Sequence, residues 1–381
     1  MIYMDNSATS SPKPREVIEC VKNSLENNFA NAGRSTHAAS VRSARALYTA
    51  RERVAGFVNT SPENVVFTYN ATYALNMAIH GSVFEDARVF TTPFEHNSIL
   101  RPLWYLEKGK GVKVYMPDLL TKDKNGIVSE FEKIAKTPKK PHFLIMTHTS
   151  NVTGYKMPVR ELGQLCRKYN VYFILDASQG LGTSRVDMKK DCIDVVCTSG
   201  HKGLFGINGS GFLAVSEESD IKISPIIQGG TGTLSHQRNM PDFLPERLEA
   251  GTVGVIGAES IGAGIEYIEK MTPELLLNKT RSVREYLSHG IETLSSFDLL
   301  NGRENSTSIV LFNHKTAQSH DVASFLDKHE IACRAGLHCS PMAHEFLGTA
   351  KRGGAVRLSV SHFNTFDECD EVIRVLKGFN C

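Results

Sequence analysis

Two side chains that could take part in covalent chemistry follow apolar runs of the sequence. Asp176 comes directly after the apolar residues of VYFILD, and Lys202 follows the run CIDVVCTSGH. A carboxylate in this position is partly removed from water and favours a cationic partner, although it also suits a helix cap or a structural ion pair. A desolvated lysine can form a Schiff base with a carbonyl compound, although a surface lysine in a flexible loop is an equal alternative.

Three further polar residues lie at the ends of predicted elements. Asn151 follows the run HFLIMTHTS, as a turn residue or as a ligand of a cofactor hydroxyl, and His96 follows a strand predicted over 87–92, as a stacking ring or a core histidine. Thr72 lies at the start of a helix predicted over 70–80, where free N–H groups favour a phosphate. A lysine, an aspartate, a phosphate-binding helix start and a stacking ring are together the parts of a pyridoxal phosphate site.

The stretch IACRAGLHCSP, residues 331–341, contains Cys333 and Cys339 and allows a metal site, a disulfide, a core segment or a reactive thiol. The eight cysteines are spread over the whole chain, and the sequence has no CxxC pair and no HExxH motif. This pattern favours free thiols in a reducing cytoplasm over a disulfide scaffold or a zinc site. Cys333 follows two apolar residues and is predicted to be a core or loop-lining residue, whereas Cys339 is predicted to lie on a short loop.

The bulk composition is that of a globular protein of more than one domain. The chain has 381 residues, of which 41% are hydrophobic and 22% charged, and its formal net charge is +2. A net charge this close to zero does not indicate the strongly basic surface of a nucleic-acid-binding protein. No apolar run reaches the roughly 18 residues of a membrane span, and MIYMDNSATSSPKP has no secretory signal pattern. We therefore expect neither a nucleic acid nor a membrane as a partner.

The elements that must position these residues alternate between strand and helix through the first two thirds of the chain. This order predicts an α/β fold with a parallel sheet, at whose carboxyl edge ligands bind. After about residue 255 the pattern changes to a long helical region with a break at MTP, followed by strands and helices of an α+β domain. The predicted helices cover 40–58, 70–80, 158–170, 256–295, 321–330 and 365–379, and the predicted strands cover 87–92, 113–117, 142–150, 171–176, 192–199, 306–312 and 355–361.

Taken as a set, these motifs identify a known family. The sequence resembles the class-V-fold pyridoxal-phosphate enzymes, and among them the group II cysteine desulfurases and selenocysteine lyases. The resemblance extends from MDNSATSSPKP to VRLSVSHFNT, with several motifs in the same order. It implies the PLP-dependent transferase fold type I, with a mainly parallel seven-stranded sheet in a large domain (15–255) and a smaller α+β domain (1–14 and 256–381). It also implies a homodimer with pyridoxal 5'-phosphate as cofactor, whereas the cytoplasmic location is expected from the free cysteines.

The resemblance implies a role for each matching residue. Lys202 in TSGHKGLFG would bind the cofactor as a Schiff base, and Cys339 in RAGLHC would be the sulfur-accepting nucleophile. The cofactor would be held at its ring by Asp176, Gln179, His96 and Asn151, and at its phosphate by Thr72, Ser199, His201 and the partner subunit's Thr252. The substrate would be bound by Arg357 in VRLSVSHFNT and by Asn151, with His37 and Asn31 of NAGRSTH lining its entry.

The implied reaction converts L-cysteine to L-alanine and leaves a persulfide on Cys339. A thiolate is needed for this step, and His338 or Arg334 would favour it if either lies close. The alternatives are a selenocysteine lyase, another class-V reaction such as sulfinate desulfination, and a catalytically silent scaffold. A sulfur- or selenium-acceptor protein would be a partner. Two departures from the family pattern are Val253, where relatives often have proline, and Ala71, where they commonly have threonine.

Overall fold

The computed structural model describes residues 1–33, 35–119, 122–302 and 306–379. Cys381 therefore lies outside the described residues. Within these ranges, none of the helices combines the length and the apolar character needed to cross a bilayer.

The described strands and helices account for most of the chain. The strands are β1 (Ile2–Tyr3), β2 (Val65–Thr68), β3 (Arg88–Phe90), β4 (Lys113–Tyr115), β5 (Phe143–Thr147), β6 (Tyr172–Asp176), β7 (Val195–Ser199), β8 (Gly211–Val215), β9 (Phe297–Leu299), β10 (Ile309–His314), β11 (Ile331–Ala332), β12 (Arg334–Gly336) and β13 (Ala355–Ser359). The helices are α1 (Arg15–Asn27), α2 (Ala38–Val58), α3 (Ala71–Ser82), α4 (Asn97–Lys110), α5 (Lys124–Ala135), α6 (Val159–Tyr169), α7 (Val255–Met271), α8 (Pro273–Glu292), α9 (Ser319–Lys328), α10 (Pro341–Phe346) and α11 (Phe366–Lys377).

Seven strands form a large sheet in the order β2-β8-β7-β6-β5-β3-β4. Strand β8 runs antiparallel to β2 and β7, whereas the other neighbouring pairs are parallel. The predicted mainly parallel seven-stranded sheet is therefore confirmed. All residues of β5, β7 and β8 are buried, as expected for strands covered on both faces. The parallel strands β5, β6 and β7 end at Thr147, Asp176 and Ser199 along one edge, which is where the polar site residues follow.

Four antiparallel strands form a small sheet in the order β12-β13-β10-β9. Strand β1 from the start of the chain pairs in parallel with β11, so the N-terminus packs beside this sheet. The core here includes Met4, Val310, Phe312 and Leu358. The domain division at residues 14/15 and 255/256 stays a prediction.

The bounds predicted for most strands and helices lie close to those observed, but several short strands and some helices were not predicted. The break at MTP is confirmed, because α7 ends at Met271 and Pro273 begins α8 after Thr272, whose φ is +63°. The strand predicted over 142–150 is shorter and ends at Thr147, since the following residues turn back. The sequence did not predict β1, β2, β8, β9, β12, α1, α4, α5 and α10.

Candidate active site

One cavity at the carboxyl edge of the large sheet collects the predicted cofactor ligands of this chain. It is lined by eight predicted residues, namely Thr72, His96, Asn151, Asp176, Gln179, Ser199, His201 and Lys202. These residues come from the N-terminal end of α3, the loop before α4, the last residues of β6 and β7, and the segments that follow β5, β6 and β7. The structure therefore brings together residues that are separated by 130 positions, from Thr72 to Lys202.

Asp176 and Lys202 form the charged centre of this cavity. The Asp176 residue is 4% exposed, and its Oδ1 accepts hydrogen bonds from Ser178 N (3.0 Å) and Ser178 Oγ (2.5 Å). Burial lowers the pKa of Lys202 to about 8, and the negative charge of Asp176 opposes this shift. Lys202 keeps some accessible surface. A carboxylate can pair with the protonated ring nitrogen of a cofactor, and a readily deprotonated amine can form a Schiff base with the aldehyde of that cofactor. Ser178 was not predicted, although LDASQG placed a hydroxyl two residues after Asp176.

His96 forms one wall as a neutral ring. Its Nδ1 accepts a hydrogen bond from Ser98 N (3.1 Å) at the start of α4 and lies 2.8 Å from Ser98 Oγ. Burial is the main cause that lowers the pKa of His96 to about 4, and the charge of Lys202 adds to it. Ser98 Oγ in turn lies 2.7 Å from Thr72 Oγ1, so one serine fixes both the ring and the phosphate-side threonine. Sequence reasoning missed Ser98, whose only signal was its place two residues after His96 in EHNS.

One part of the cavity lining suits a phosphate. Helix α3 begins there at Ala71, and Asn70 caps it by accepting a hydrogen bond from Tyr73 N at 2.9 Å. The Ser199 Oγ and His201 Nδ1 atoms are buried and have no hydrogen-bond partner among the residues that the structure describes. Burial lowers the pKa of His201 to about 4, so this ring is neutral. A helix start and two buried polar atoms that lack partners fit a phosphate group. The cavity as a whole therefore fits pyridoxal phosphate.

The glycine after Lys202 has a steric reason within the protein. A Cβ on Gly203 would lie 2.2 Å from Leu181 O, so only glycine lets the chain after Lys202 pass the segment after Asp176. Glycines such as those of GLFGINGSG can also let the backbone approach a ligand, because they carry no side chain. At Gly203 the close approach is instead to the protein's own backbone.

Asn151 joins the cofactor cavity to the turn that carries Cys339. Its Nδ2 donates to His338 O (2.7 Å), and its Oδ1 accepts from Ser340 Oγ (2.7 Å). The N–H of Asn97 also donates to Cys339 O at 2.7 Å. His338 and Cys339 both have left-handed backbones, with φ of +50° and +58°. Non-glycine residues adopt this conformation at some cost, so these hydrogen bonds hold an unusual turn in place.

The exposed Cys339 thiol has a cation beside it. Arg334 Nη2 lies 3.4 Å from Cys339 Sγ. His338 is instead turned inward, with Nδ1 3.0 Å from His344 Nε2 and Nε2 3.4 Å from Arg334 O. Burial lowers the pKa of His338 to about 2, so its ring is neutral. Of the two residues that could favour the thiolate, Arg334 is the one in position.

Arg357 lies between the Cys339 turn and the N-terminus. It is 1% exposed and donates from Nη1 to Asn151 O (2.9 Å) and from Nη2 to Asp5 Oδ1 (2.8 Å). Its Nε is buried without a hydrogen-bond partner among the described residues. On the adjacent strand, Arg334 is its cross-strand neighbour. The sequence gave no sign of Asp5 as a partner of Arg357.

Like Cys339 and Arg357, the remaining three predicted residues are not part of the cavity lining. Thr252, Asn31 and His37 are exposed, and Asn31 Nδ2 lies 3.5 Å from Thr252 Oγ1. His37 caps α2 by accepting a hydrogen bond from Ser40 N at 3.2 Å. Their predicted roles stay predictions.

Cys333, the other cysteine of the opening stretch, lies between β11 and β12 and packs against the core of the small sheet. Burial raises the pKa of its thiol to about 12. A thiol in this state is a poor nucleophile, in agreement with its prediction as a core or loop-lining residue.

Comparison with known proteins gives consistent matches over nearly the whole chain. Residues 2–372 match the family model described as Aminotransferase class-V. A probable cysteine desulfurase of Pyrococcus abyssi is 33% identical over 389 residues, covering 99% of this chain and 94% of the relative. One from Methanothermobacter thermautotrophicus is 30% identical over 372 residues, covering 96% of this chain and 92% of the relative. The apo structure of a cysteine desulfurase from Thermococcus onnurineus NA1 superposes with a TM-score of 0.89 at 30% identity, covering 99% of this chain and 94% of that one.

Proposed function

Because this chain belongs to the aminotransferase class-V family, we propose that it is a pyridoxal-phosphate-dependent cysteine desulfurase. It would convert L-cysteine to L-alanine and transfer the sulfur to Cys339. The observation that carries this proposal is the placement of Cys339. Its thiol is exposed beside Arg334, and Asn151 ties its turn to the cavity that holds Lys202 and Asp176.

Each residue has a defined task in this reaction. When bound, pyridoxal phosphate supplies a conjugated ring that accepts electrons from the substrate's Cα. Asp176 would hold the proton on the ring nitrogen, and His96 would cover one face of the ring as a neutral stacking partner. Ser199, His201 and the start of α3 would bind the phosphate, and Gln179 would contact the phenolic oxygen.

Lys202 would move the proton. Its Nζ would take the proton from the substrate's Cα, which requires the neutral amine. With its pKa lowered to about 8, roughly a tenth of the Lys202 amine is neutral at pH 7. Arg357 would bind the substrate carboxylate with its free N–H groups, including the buried Nε.

Sulfur transfer would take place at Cys339. The thiolate attacks the sulfur atom of the substrate, and an S–S bond forms as the Cβ–S bond of the substrate breaks. The electron pair of the broken bond stays with the carbon skeleton, which leaves as alanine after protonation. Arg334 stabilises the attacking thiolate, and the exposure of the turn would let a sulfur-acceptor protein reach the persulfide.

The direct test measures alanine formation from L-cysteine against L-selenocysteine and cysteine sulfinate, with and without a thiol reductant. We expect the highest kcat/KM with L-cysteine and a requirement for Cys339 with this substrate. A selenocysteine lyase would instead prefer L-selenocysteine, and its Cys339→Ala variant would retain much of its activity, because selenium is a better leaving group. A preparation without visible cofactor absorbance and without alanine formation would leave only a binding role.

We also propose that the active form is a homodimer. Asn31 and Thr252 lie outside the cavity of their own chain, beside an open cavity of about 420 Å³ that the partly exposed Tyr48 and Phe243 line. A second copy that covers this surface would supply the partner's Thr252 to the phosphate and place His37 and Asn31 at the substrate entry. Analytical ultracentrifugation of the cofactor-loaded protein should give twice the mass of the chain. A Thr252→Ala variant should release cofactor faster than the wild type.

A cytoplasmic location also stays a proposal. Seven cysteines among the described residues are free, which agrees with a reducing compartment. Fractionation of the native cell with an antibody against the protein would test it, and recovery from a secreted or membrane fraction would contradict it.

A further inference from the structure

The start of the chain links the two sheets across the candidate site. Strand β1 pairs with β11, and a bridge joins Asp5 to Ser359 at the end of β13. The following residues then reach the loop that carries Lys202. We call residues 5–13 the N-terminal strap. The proposed mechanism assigns no task to any residue of this strap.

The first end of the strap holds the substrate-binding arginine. Asp5 Oδ1 accepts a hydrogen bond from Arg357 Nη2 at 2.8 Å, and the two side chains are 19% and 1% exposed. Arg357 Nη1 is bound to Asn151 O at 2.9 Å. Since a guanidinium is planar, two fixed Nη atoms also fix the direction of the Nε–H bond. Asp5 thereby aims the group that is left for the substrate carboxylate.

The middle of the strap connects the two sheets. Ser7 N donates to Ser359 Oγ at 2.9 Å, and Ser7 O accepts from Gln179 Nε2, also at 2.9 Å. Ser359 belongs to the same strand as Arg357, and Gln179 lines the cofactor cavity. One residue of the strap therefore contacts both sides of the site.

The other end of the strap converges on a single carbonyl oxygen. His201 O lies within hydrogen-bond distance of four donors, namely Lys13 Nζ (2.9 Å), Ser10 N (3.1 Å), Ser10 Oγ (3.1 Å) and Thr9 Oγ1 (3.2 Å). A carbonyl oxygen has two lone pairs, so these contacts saturate it. The His201 carbonyl is part of the peptide unit that leads into Lys202. The strap therefore fixes the backbone from which the catalytic lysine projects.

We propose that the N-terminal strap is a positioning element, in which Asp5 orients Arg357 toward the substrate carboxylate and Lys13 fixes the backbone that carries Lys202. The inference rests on the proposed function for the identity of the substrate. The two ends act on different parts of the site, so damage to each end has a different result.

The test compares Asp5→Asn and Lys13→Met in the cofactor-loaded full-length protein. Asp5→Asn should raise the KM for L-cysteine and the dissociation constant of L-alanine roughly 10- to 100-fold, and leave the rate of cofactor release unchanged. Lys13→Met should accelerate cofactor release and lower kcat by roughly tenfold or more, with the L-alanine constant changed less than about twofold. Lys13→Arg keeps a donor and should restore cofactor retention.

Two exposed charges serve as matched controls, Asp298→Asn on β9 and Lys22→Met on α1. The proposal is wrong if the strap variants behave like these controls, or if both strap variants weaken alanine binding and cofactor retention to the same extent. Asp5→Glu provides a second variant if Asp5→Asn does not fold. It should also raise the dissociation constant of L-alanine, because the longer carboxylate displaces Arg357. The dissociation constant of L-alanine and the rate of cofactor release do not depend on sulfur release, so these two readouts test the strap even if the wild-type protein forms no alanine from L-cysteine. That last result would overturn the proposed function instead.

Discussion

The two reactive side chains of the site lie in opposite surroundings. Lys202 follows a fully buried strand, in a cavity whose walls lower the pKa of its amine to about 8. Cys339 is exposed, on a turn of two left-handed residues that Asn151 and Asn97 hold against the cavity wall. The protein thus buries the proposed base and leaves the proposed nucleophilic thiol in contact with water.

The difference agrees with what each group would do in the proposed reaction. A lysine that takes a proton must be neutral, and burial destabilises its ammonium form. A thiol that takes sulfur and passes it on must meet a partner outside the protein, so it cannot be buried. In the proposed reaction the cation that would favour the thiolate is Arg334, whose Nη2 lies 3.4 Å from Cys339 Sγ.

The largest expected effect is that of removing the buried base. Lys202→Ala should lose the visible absorbance of the bound cofactor and reduce alanine formation by about 10⁴-fold, because it removes both the covalent attachment and the proton acceptor. Absorption spectra of the purified variant and a steady-state assay would measure both. Retention of the spectrum would show that another amine holds the cofactor.

Removal of the exposed thiol should separate cofactor binding from sulfur transfer. Cys339→Ala should keep the wild-type spectrum and lose sulfide release from L-cysteine by about 10³-fold, equivalent to about 4 kcal/mol of transition-state stabilisation. Spectra and sulfide release with a thiol reductant would be measured on the same preparation. Sulfide release at the wild-type rate would contradict the persulfide role of Cys339.

The surroundings of Lys202 should also appear as a pH dependence. With a folded-state pKa lowered to about 8, the amine is protonated below this pH and neutral above it. Only the neutral amine attacks an aldehyde, so the rate at which the apoprotein takes up pyridoxal phosphate should rise up to about pH 8 and then level off. From pH 7 to pH 9 we expect an increase of roughly tenfold. The Cys339→Ala variant is the control and should give the same profile, whereas an inflection near the ordinary lysine value would contradict the effect of burial.

The cation beside Cys339 should control the reactivity of the thiol. Arg334→Gln should slow alkylation of Cys339 by neutral iodoacetamide at pH 7 by roughly three- to tenfold, since the charged hydrogen bond to sulfur is lost. Arg334→Lys keeps the charge and should lie between this variant and the wild type. Mass spectrometry of the peptide that contains Cys339 would follow the reaction. The opposite outcome, in which His338→Gln slows alkylation and Arg334→Gln does not, would reassign the role to the histidine.

The sequence predicted the Lys202 side of the site better than the Cys339 side. Asp176 and Lys202 follow apolar runs, and the carboxyl ends of parallel strands meet by the geometry of the sheet, so their proximity could be inferred. The hydrogen bond between Asn151 and His338 joins residues 187 positions apart, and that between Asp5 and Arg357 joins residues 352 apart. No local periodicity encodes such contacts. The resemblance supplied Cys339 and Arg357 by motif, but not the groups that hold them.

The smallest expected effect on activity comes from the second cysteine of the same stretch. Cys333 is only six residues from Cys339, but it packs against the core of the small sheet, where burial raises the pKa of its thiol to about 12. Cys333→Ala should leave kcat and the alkylation rate of Cys339 within about twofold of their wild-type values. It should lower the free energy of unfolding by about 1 kcal/mol, because packing in the core is lost. Urea unfolding and the steady-state assay would separate these effects. A large loss of activity without a loss of stability would mean that Cys333 takes part in sulfur transfer, and reactivity would then not follow from the difference in exposure between the two thiols.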